Sequence, residues 1–510
     1  MIRRILLPII SGTILILAFA PFGRGYLACA GFIPLFFALE GAAPRKAFFT
    51  GWLWGFVFFL GTVYWVVHSM YFYGGVGFVA GTLVMLLLVV YLALFPAVFS
   101  VFLSRTGTHG TLTRVFLIPS LWVSLEYMRG YLFSGFPWVL LGYSQINYLP
   151  LVQIADLAGV WGVSFWVMAI NAAVYLVIKK AGQRDFSSVF KAAATAVLLT
   201  AAVFGYGLLR IRAVDNAVST WKPLKVLIAQ GNIEQSLKWD EGARLKTVEV
   251  YRDLSLSAAA GERPGLVVWP ETAMPFYLAY DTAMRETVSG TAREAEAYLL
   301  TGAPHYTPGG MTYKLYNSAF LFNRAGGLDG RYDKTHLVPF GEYVPLKRLF
   351  FFARKLTEGV GDFVPGPGRY PLRFDGNGIG VLICYEAIFP EISADFLNNG
   401  ANLLVNITND AWFGRTSAPY QHFDMSVMRA VENRVFLVRA ANTGISAIVD
   451  PSGRVVEKTR LFERGVVSGT VGIKNKGKTV FSGYGRFFPL ITVVFSAVAV
   501  FGFRKRPGRG

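Results

Sequence analysis

The sequence is poor in charged residues, in cysteine and in histidine. Only 16% of its 510 residues are charged, whereas soluble domains carry about 25%. This deficit excludes an ordinary soluble domain and indicates a large membrane part. The two cysteines, Cys29 and Cys384, exclude a disulfide framework. No two histidines between residues 212 and 485 have metal-ligand spacing, so we expect neither a metal nor a cofactor.

The positive charge of the chain, formally +18, does not indicate nucleic-acid binding. Much of the excess lies in short loops between apolar runs, where charges direct membrane topology. Several apolar runs approach the ~20 residues needed to cross a hydrocarbon core. They are residues 5–22, 25–40, 47–69, 75–103, 115–128, 157–178, 192–211 and 486–503. We therefore predict a multi-pass α-helical membrane bundle of about eight spans.

Composition divides the chain into three domains. Residues 1–211 are predicted to form an N-terminal transmembrane bundle. Between residues 212 and 485 charges become frequent, and short apolar runs alternate with helical patterns, which indicates an inserted α/β domain. Residues 486–510 are predicted to form a C-terminal transmembrane helix followed by a basic tail.

Lysine and arginine accumulate in alternate loops of the bundle. The basic loops contain Arg3 and Arg4, Arg45 and Lys46, Arg105 and Arg114, and Lys179, Lys180, Arg184 and Lys191. Because positive loops stay in the cytoplasm, we expect both termini to be cytoplasmic and residues 212–485 to be extracytoplasmic. The runs 5–22 and 25–40 are short and also fit a re-entrant hairpin, which would leave this orientation unchanged.

Uncharged, aromatic-rich sequence fills residues 130–155. It fits either a position at the outer headgroup level, where Trp and Tyr are favoured, or packing within the bundle. Just before it, Glu126 and Arg129 lie three residues apart near the end of an apolar run. We expect these two side chains to pair with each other.

Three reactive side chains follow strand-like runs in the inserted domain. Glu271 comes just after the run 266–269, Cys384 directly after 379–383, and Lys334 lies in a loop that ends in proline. In α/β sheets reactive residues gather at strand ends. A thiol needs a base or a positive neighbour, a carboxylate can serve as that base, and an ammonium group can stabilise an oxyanion. Taken singly, however, a buried Cys is usually inert and strand-end Glu and Lys are usually solvated or ion-paired.

Several motifs in order resemble those of the nitrilase superfamily. The motifs are residues 269–273, 332–345 and 383–386, with 230–233 and Trp239, then 406–414 and 439–444, and 135–138 in the membrane half. Together with the apolar runs, they resemble the membrane-embedded apolipoprotein N-acyltransferase family of that superfamily. The resemblance covers almost the whole chain.

This resemblance implies an αββα sandwich in which Glu271 is the base, Lys334 the oxyanion stabiliser and Cys384 the nucleophile. It also implies that Trp239, Glu342, Tyr385 and Glu386 are needed for activity. The implied reaction moves a fatty acyl chain from a phospholipid to the N-terminal diacylglyceryl-cysteine of an apolipoprotein, through a thioester on Cys384. The implied location is the bacterial inner membrane, with the catalytic domain in the periplasm, and we expect a monomer.

Two apolar segments lie near the catalytic motifs. Phe350, Phe351 and Phe352 are flanked by four cations, which suits a lid whose rings contact membrane lipid and equally suits a core strand. Residues 276–280 form a second candidate lid. His336 and His422 are alternative bases, although a structural hydrogen-bonding role is expected for His336.

Three other functions compete with acyl transfer. A membrane-tethered nitrilase-type enzyme would hydrolyse small amides or nitriles, and the apolar segments speak against it. A scaffold with a dead nitrilase fold would not need all of Glu271, Lys334 and Cys384. A transporter fits the number of spans, but the bundle has few intramembrane charges and shows no inverted repeat.

Overall fold

The computed structural model describes residues 2–106, 109–235, 241–309, 312–344, 362–475 and 477–502. The chain forms two compact units. The bundle unit comprises Met1–Val67, Val79–Arg212 and Tyr484–Gly510, and the sheet unit comprises His68–Phe78 and Ala213–Gly483. The short segment His68–Phe78 therefore packs with the sheet unit, although its sequence lies between two apolar runs.

Helices account for most of the bundle unit and for part of the sheet unit. In chain order they are α1 (Arg3–Ala18), α2 (Ile33–Ala38), α3 (Pro44–Val63), α4 (Val66–Phe72), α5 (Phe78–Arg105), α6 (Thr111–Arg129), α7 (Leu149–Val152), α8 (Ala155–Gly182), α9 (Phe186–Val218), α10 (Glu241–Glu262), α11 (Thr282–Glu294), α12 (Pro390–Asn398), α13 (Ala418–Asn433), α14 (Val480–Tyr484) and α15 (Phe487–Ala497). Short 3-10 helices lie at Gly25–Cys29, Leu132–Ser134, Leu141–Gln145, Cys384–Ile388 and Asp410–Phe413.

Four of the described helices, α3, α5, α8 and α9, are long and apolar enough to cross a membrane. Two shorter apolar helical segments, Gly25–Ala38 and Phe487–Phe501, fall below that length. The first is a 3-10 turn followed by the six-residue helix α2, and 14 helical residues would span only about 21 Å of a ~30 Å core. Four candidate spans are consistent with the predicted membrane part, while the predicted count of eight spans stays a prediction.

The end of α6 organises the uncharged segment that follows it. Glu126 Oε1 accepts a hydrogen bond from the Leu141 N–H at 2.7 Å. Arg129 Nη1 donates to the carbonyl oxygens of Phe136 and Trp138 at 3.2 and 2.8 Å. The expected pairing of Glu126 with Arg129 is present as an attraction between their charges, while both side chains also hydrogen-bond to the loop backbone. Such backbone groups need partners where water is excluded.

The sheet unit contains twelve described strands in two sheets. They are β1 (Lys222–Gln230), β2 (Leu266–Val268), β3 (Tyr298–Pro308), β4 (Tyr313–Phe322), β5 (Leu328–Asp333), β6 (Leu372–Phe374), β7 (Asn377–Ile383), β8 (Leu403–Thr408), β9 (Leu437–Ala441), β10 (Ala447–Val449), β11 (Val455–Lys458) and β12 (Gly465–Ile473). The first sheet has the order β12-β1-β2-β3-β4-β5, and the second has β11-β10-β9-β8-β7-β6.

Parallel strands occupy the middle of each sheet. In the first sheet β2 is parallel to β1 and to β3, and in the second β8 is parallel to β7 and to β9. All residues of β2, β8 and β9 are buried, as is typical of parallel strands covered on both faces. The carboxyl ends of β2, β7 and β8 carry the candidate catalytic segments.

Helices cover the outer faces of the two sheets. Tyr251 of α10 and Val288 of α11 share one core with Leu227, Val267 and Leu299 of the first sheet. The helices α12 and α13 pack on β7 and β9 of the second sheet, and the sheets contact each other through β1 with β9 and β4 with β7. The layers run helix, sheet, sheet, helix, in agreement with the predicted nitrilase-like sandwich.

Candidate active site

Cys384 lies at a strained turn directly after β7. Its φ is +50°, a left-handed conformation that costs free energy for a residue with a Cβ and occurs often at functional sites. The residue opens the 3-10 helix Cys384–Ile388, and its side chain is buried with the Thr408 hydroxyl as a hydrogen-bond partner. A strand that ends in such a turn places the thiol at the carboxyl end of the strand.

Glu271 follows β2 and is held by two hydrogen bonds, one from β4 and one from the residue after β8. Its Oε1 accepts from Asn317 Nδ2 at 2.8 Å, and its Oε2 accepts from the Asn409 backbone N–H at 2.9 Å. Gly302 of β3 lies so close that a Cβ there would be 2.7 Å from the Glu271 Cα. The carboxylate is therefore fixed in direction as well as position.

Lys334 follows β5 and lies between two carboxylates. Its Nζ is 3.0 and 2.9 Å from Oε1 and Oε2 of Glu342 and 3.9 Å from Oε1 of Glu271. Only 1% of its side chain is exposed. Burial alone would lower the pKa of Lys334, but the charges of Glu342 and Glu271 outweigh it and raise that pKa above its ordinary value. The side chain is therefore a buried ammonium group.

The surroundings of Cys384 favour the protonated form of its thiol. Burial raises its pKa, and the Glu271 carboxylate raises it further, while the Lys334 ammonium only partly offsets these effects. A protonated thiol is a weak nucleophile, so attack requires a base that removes the proton as the bond forms. Glu271 is the carboxylate whose charge the thiol senses most strongly.

Glu386 ties the Lys334 loop to the Cys384 turn. Its Oε1 accepts from the Tyr332 hydroxyl and the Thr335 N–H, both at 2.8 Å, and its Oε2 accepts from the Ile383 N–H at 2.9 Å. The Glu386 side chain is fully buried, and burial raises its pKa. Glu386 thus fixes the position of the Lys334 loop relative to the Cys384 turn.

The structure brings most of the predicted site residues together. Glu342 also accepts from Asn317 Nδ2 at 2.8 Å and from the Val338 N–H at 2.7 Å. The ring of Tyr385 packs edge-on against Phe389 at 5.1 Å. Trp239, Phe350, Phe351 and Phe352 lie outside the described residues. Among the described residues no group of His, Cys, Asp and Glu could hold a metal ion.

The second candidate lid and the alternative base His422 have surroundings that differ from those expected. Within the second candidate lid, Phe276 and Leu278 are buried in the core of the sheet unit, so only Tyr277 and Tyr280 are exposed there. His422, considered as a base, instead approaches the carbonyl oxygen of Cys384 with Nε2 at 3.1 Å.

Sequence reasoning missed Asn317, Asn409, Asp410 and Arg439. Asn409 and Asp410 lie in a motif that carried the resemblance, which was a signal for their importance. Asn317 lies in the middle of β4, and nothing in its neighbourhood in the sequence marks it. Only the register of β3 and β4 brings it beside Glu271 and Glu342.

Replacing Lys334 by methionine is expected to destabilise the sheet unit. The change leaves the Glu271 and Glu342 carboxylates buried without their cation, which typically costs about 3–5 kcal/mol. Unfolding of the purified protein in detergent, followed by tryptophan fluorescence, measures the loss. The matched control is Lys314→Met, an exposed lysine on β4, which should change the unfolding midpoint little. Equal effects of the two substitutions would contradict the buried ion cluster.

Two protein families match parts of the chain. The apolipoprotein N-acyltransferase N-terminal domain matches residues 11–173, and carbon-nitrogen hydrolase matches residues 225–477. An apolipoprotein N-acyltransferase of Geobacter metallireducens is 41% identical over 506 residues, which cover 99% of this chain and 96% of that protein. One of Methylococcus capsulatus is 37% identical and covers 92% and 90% respectively. Among solved structures, a carbon-nitrogen hydrolase from Helicobacter pylori G27 is 16% identical with a TM-score of 0.39, covering 56% of this chain and 95% of that one.

Proposed function

The chain belongs to the apolipoprotein N-acyltransferase family, and we propose that it N-acylates bacterial lipoproteins through a thioester on Cys384. The acyl donor is a phospholipid and the acceptor is the α-amino group of an N-terminal diacylglyceryl-cysteine. The observation that carries this proposal is the convergence of Glu271, Lys334 and Cys384, with the Lys334 Nζ 3.9 Å from Glu271 and within 3.0 Å of Glu342. This arrangement supplies a base, an oxyanion partner and a nucleophile in one buried site.

The first half-reaction forms the acyl-enzyme. Glu271 takes the thiol proton of Cys384 as the sulfur attacks the ester carbonyl carbon of the phospholipid. The Lys334 ammonium group and the backbone N–H of Tyr385 stabilise the oxyanion of the tetrahedral intermediate. When the C–O bond breaks, Glu271 returns the proton to the leaving alkoxide, and a lysophospholipid departs while the acyl group stays on Cys384.

The second half-reaction transfers the acyl chain to nitrogen. The free amine of the acceptor attacks the thioester carbonyl, and Glu271 takes the proton that the nitrogen loses. The C–S bond then breaks, and the same proton returns to the Cys384 sulfur. The products are an amide on the lipoprotein and the resting thiol. Water must be excluded during this exchange because it would hydrolyse the thioester.

The remaining predicted residues have supporting roles in this proposal. Glu342 holds the Lys334 ammonium, and Glu386 fixes the Lys334 loop against the Cys384 turn. We assign Trp239 to substrate binding and Tyr385 to the oxyanion through its backbone. Phe350, Phe351 and Phe352 are assigned to membrane or lid contacts.

We place the enzyme in the bacterial inner membrane as a monomer. About eight spans, counted from the apolar runs, leave residues 1–211 and 486–510 in the membrane part. The loop charges support two cytoplasmic termini and a periplasmic catalytic domain at residues 212–485.

A two-substrate assay tests this function. The purified enzyme in detergent receives phospholipid and a synthetic diacylated lipopeptide, and the lipopeptide is analysed by mass spectrometry. We expect its mass to rise by one acyl group while lysophospholipid accumulates in equal amount. In sealed vesicles with an added water-soluble lipopeptide, only right-side-out vesicles should react.

Two controls separate this function from its rivals. A lipopeptide with an acetylated N terminus has no free amine and should not gain an acyl chain. A nitrilase-type hydrolase would release free fatty acid or ammonia and leave the lipopeptide mass unchanged. That outcome would overturn the proposed function, whereas activity in inside-out vesicles would overturn only the topology.

A further inference from the structure

A chain of buried polar groups lies behind the nucleophile. Nε2 of His422, on α13, is 3.1 Å from the Cys384 carbonyl oxygen, and its Nδ1 is 2.9 Å from Asp410 Oδ1. Arg439, on β9, donates from Nη2 to Asp410 Oδ2 at 2.8 Å. All three side chains are 1% exposed or less. Water therefore does not compete for these contacts, and each has a defined direction.

Hydrogen-bond chemistry determines which atom donates to the nucleophile's backbone. A carbonyl oxygen can only accept, so the contact with Cys384 requires the ring hydrogen on Nε2 of His422. Burial and the Arg439 charge lower the pKa of His422, which favours a neutral ring, and Arg439 Nη2 can donate to an unprotonated Nδ1 at 3.2 Å. We therefore assign the hydrogen to Nε2. At the other side of the ring, Asp410 and Arg439 are the partners of Nδ1, at 2.9 and 3.2 Å. The ring is therefore held at both nitrogens.

Asp410 is itself firmly anchored. Its Oδ1 accepts from the Thr408 hydroxyl at 3.0 Å in addition to the His422 contact. Gly444 leaves room for this carboxylate, since a Cβ there would lie 2.2 Å from Oδ2. Burial would raise the pKa of Asp410, but the charge of Arg439 outweighs it and the pKa is lowered to about 2, so the carboxylate is ionised. Asp410 is thus a fixed, negatively charged neighbour of the imidazole ring.

The His422 contact holds the peptide group between Cys384 and Tyr385, which carries both the carbonyl of the nucleophile and the N–H of the next residue. The Cys384 carbonyl and the Tyr385 N–H belong to one planar trans peptide, in which they point in opposite directions. A donor that holds the oxygen in the interior therefore turns the N–H away from His422. The left-handed φ of Cys384 makes this orientation costly without such support.

We propose that His422 is a positioning residue that orients the Tyr385 N–H as the second oxyanion donor. Asp410 and Arg439 hold the ring, and the Nε2–H holds the Cys384–Tyr385 peptide. This role rests on the proposed function, because it requires a tetrahedral intermediate on Cys384. It differs from a base, since Nε2 faces the backbone oxygen of Cys384 and not its sulfur.

Two reactions of the same thiol separate this role from simple support of the nucleophile. Acylation by phospholipid passes through an oxyanion, whereas alkylation by iodoacetamide is a direct displacement that forms none. Loss of the oriented N–H should therefore slow acylation alone. Displacement of the Cys384 sulfur would slow both reactions.

The test compares His422→Gln with His422→Asn in the full-length enzyme. The amide nitrogen of Gln reaches the position of Nε2, whereas that of Asn reaches only the position of Nδ1. We expect His422→Asn to slow single-turnover formation of the acyl-enzyme by about 10²-fold, the usual cost of an oxyanion donor. Iodoacetamide alkylation should be unchanged in both variants, and His422→Gln should recover most of the acylation rate.

Several results would overturn the proposal. These are full acylation by His422→Asn, an equal fall of acylation and alkylation, or no recovery in His422→Gln despite normal alkylation. If His422→Asn does not fold, His422→Phe, which keeps a ring against Phe413 but has no donor, takes its place in both assays. A parent enzyme that alkylates normally yet forms no acyl-enzyme would refute the proposed function itself, which is a distinguishable result.

Discussion

Replacing Cys384 by alanine is expected to abolish acyl transfer. Without the sulfur no thioester can form, and loss of a catalytic nucleophile typically lowers kcat by on the order of 10⁴–10⁶-fold. The parent enzyme, incubated with phospholipid alone, should gain the mass of one acyl chain, and hydroxylamine should remove it. Intact-protein mass spectrometry followed by peptide mapping locates the adduct at Cys384. The alanine variant should gain no mass.

The second cysteine provides the matched control for this prediction. Cys29, in the 3-10 helix Gly25–Cys29 of the bundle unit, is the other free thiol. Cys29→Ala should keep both the adduct and the transfer activity. If the Cys384→Ala variant retained acyl transfer, or if the adduct of the parent mapped to Cys29, covalent catalysis by Cys384 would be refuted.

The strand-end residues of the site could be predicted from the sequence. Cys384 directly follows β7 and Glu271 comes three residues after β2, so a local pattern was enough to place both at the strand ends of an α/β domain. Lys334 required more, because β5 pairs only with β4 at the edge of its sheet. Its loop reaches the site because Glu386 holds it there through Tyr332 and Thr335.

Residues that reach the site by tertiary packing could not be predicted in the same way. Asn317 lies five residues from the end of its strand and contacts Glu271 only because of the pairing of β3 with β4. The sequence shows that residue 422 is a histidine. It does not show which face of α13 carries this side chain, and so it does not predict the contact with the Cys384 carbonyl. The residue type suggested a catalytic base, whereas its hydrogen-bond partners support the proposed positioning role.

The membrane part shows where composition alone is insufficient. Hydropathy located the apolar runs, but the helices that form within them differ in length, and only four of those described are long enough to cross unaided. The charges at the end of α6 have the spacing of an i,i+3 pair. The two charges attract each other. Where water is excluded the backbone groups of the following loop also need partners, and they bond to both side chains.

Replacing Glu271 by glutamine is expected to have opposite effects on two reactions of Cys384. Acyl transfer should fall by about 10³-fold, within the usual range for loss of a general base. The same change removes a negative charge that raises the thiol pKa, so the pKa of Cys384 should fall. Burial and Lys334 act on the thiol pKa in both the parent and the variant. The difference between the two pKa values therefore reports the loss of the Glu271 charge. The pH midpoint of iodoacetamide alkylation should therefore move to lower pH.

These opposite directions identify the role of Glu271 more closely than a loss of activity does. A substitution that merely disturbed the site would lower acyl transfer and leave the alkylation midpoint unchanged or raise it by deeper burial. Glutamine can replace the carboxylate as an acceptor for Asn317 or for the Asn409 N–H but not for both, so unfolding must be measured alongside and should cost about 1–3 kcal/mol. Glu294→Gln, at a half-exposed ion pair with Arg252, is the matched control and should change neither reaction. An unshifted alkylation midpoint in a folded Glu271→Gln variant would mean that the carboxylate does not act on the thiol, and the base would then have to be sought among the other groups of the site.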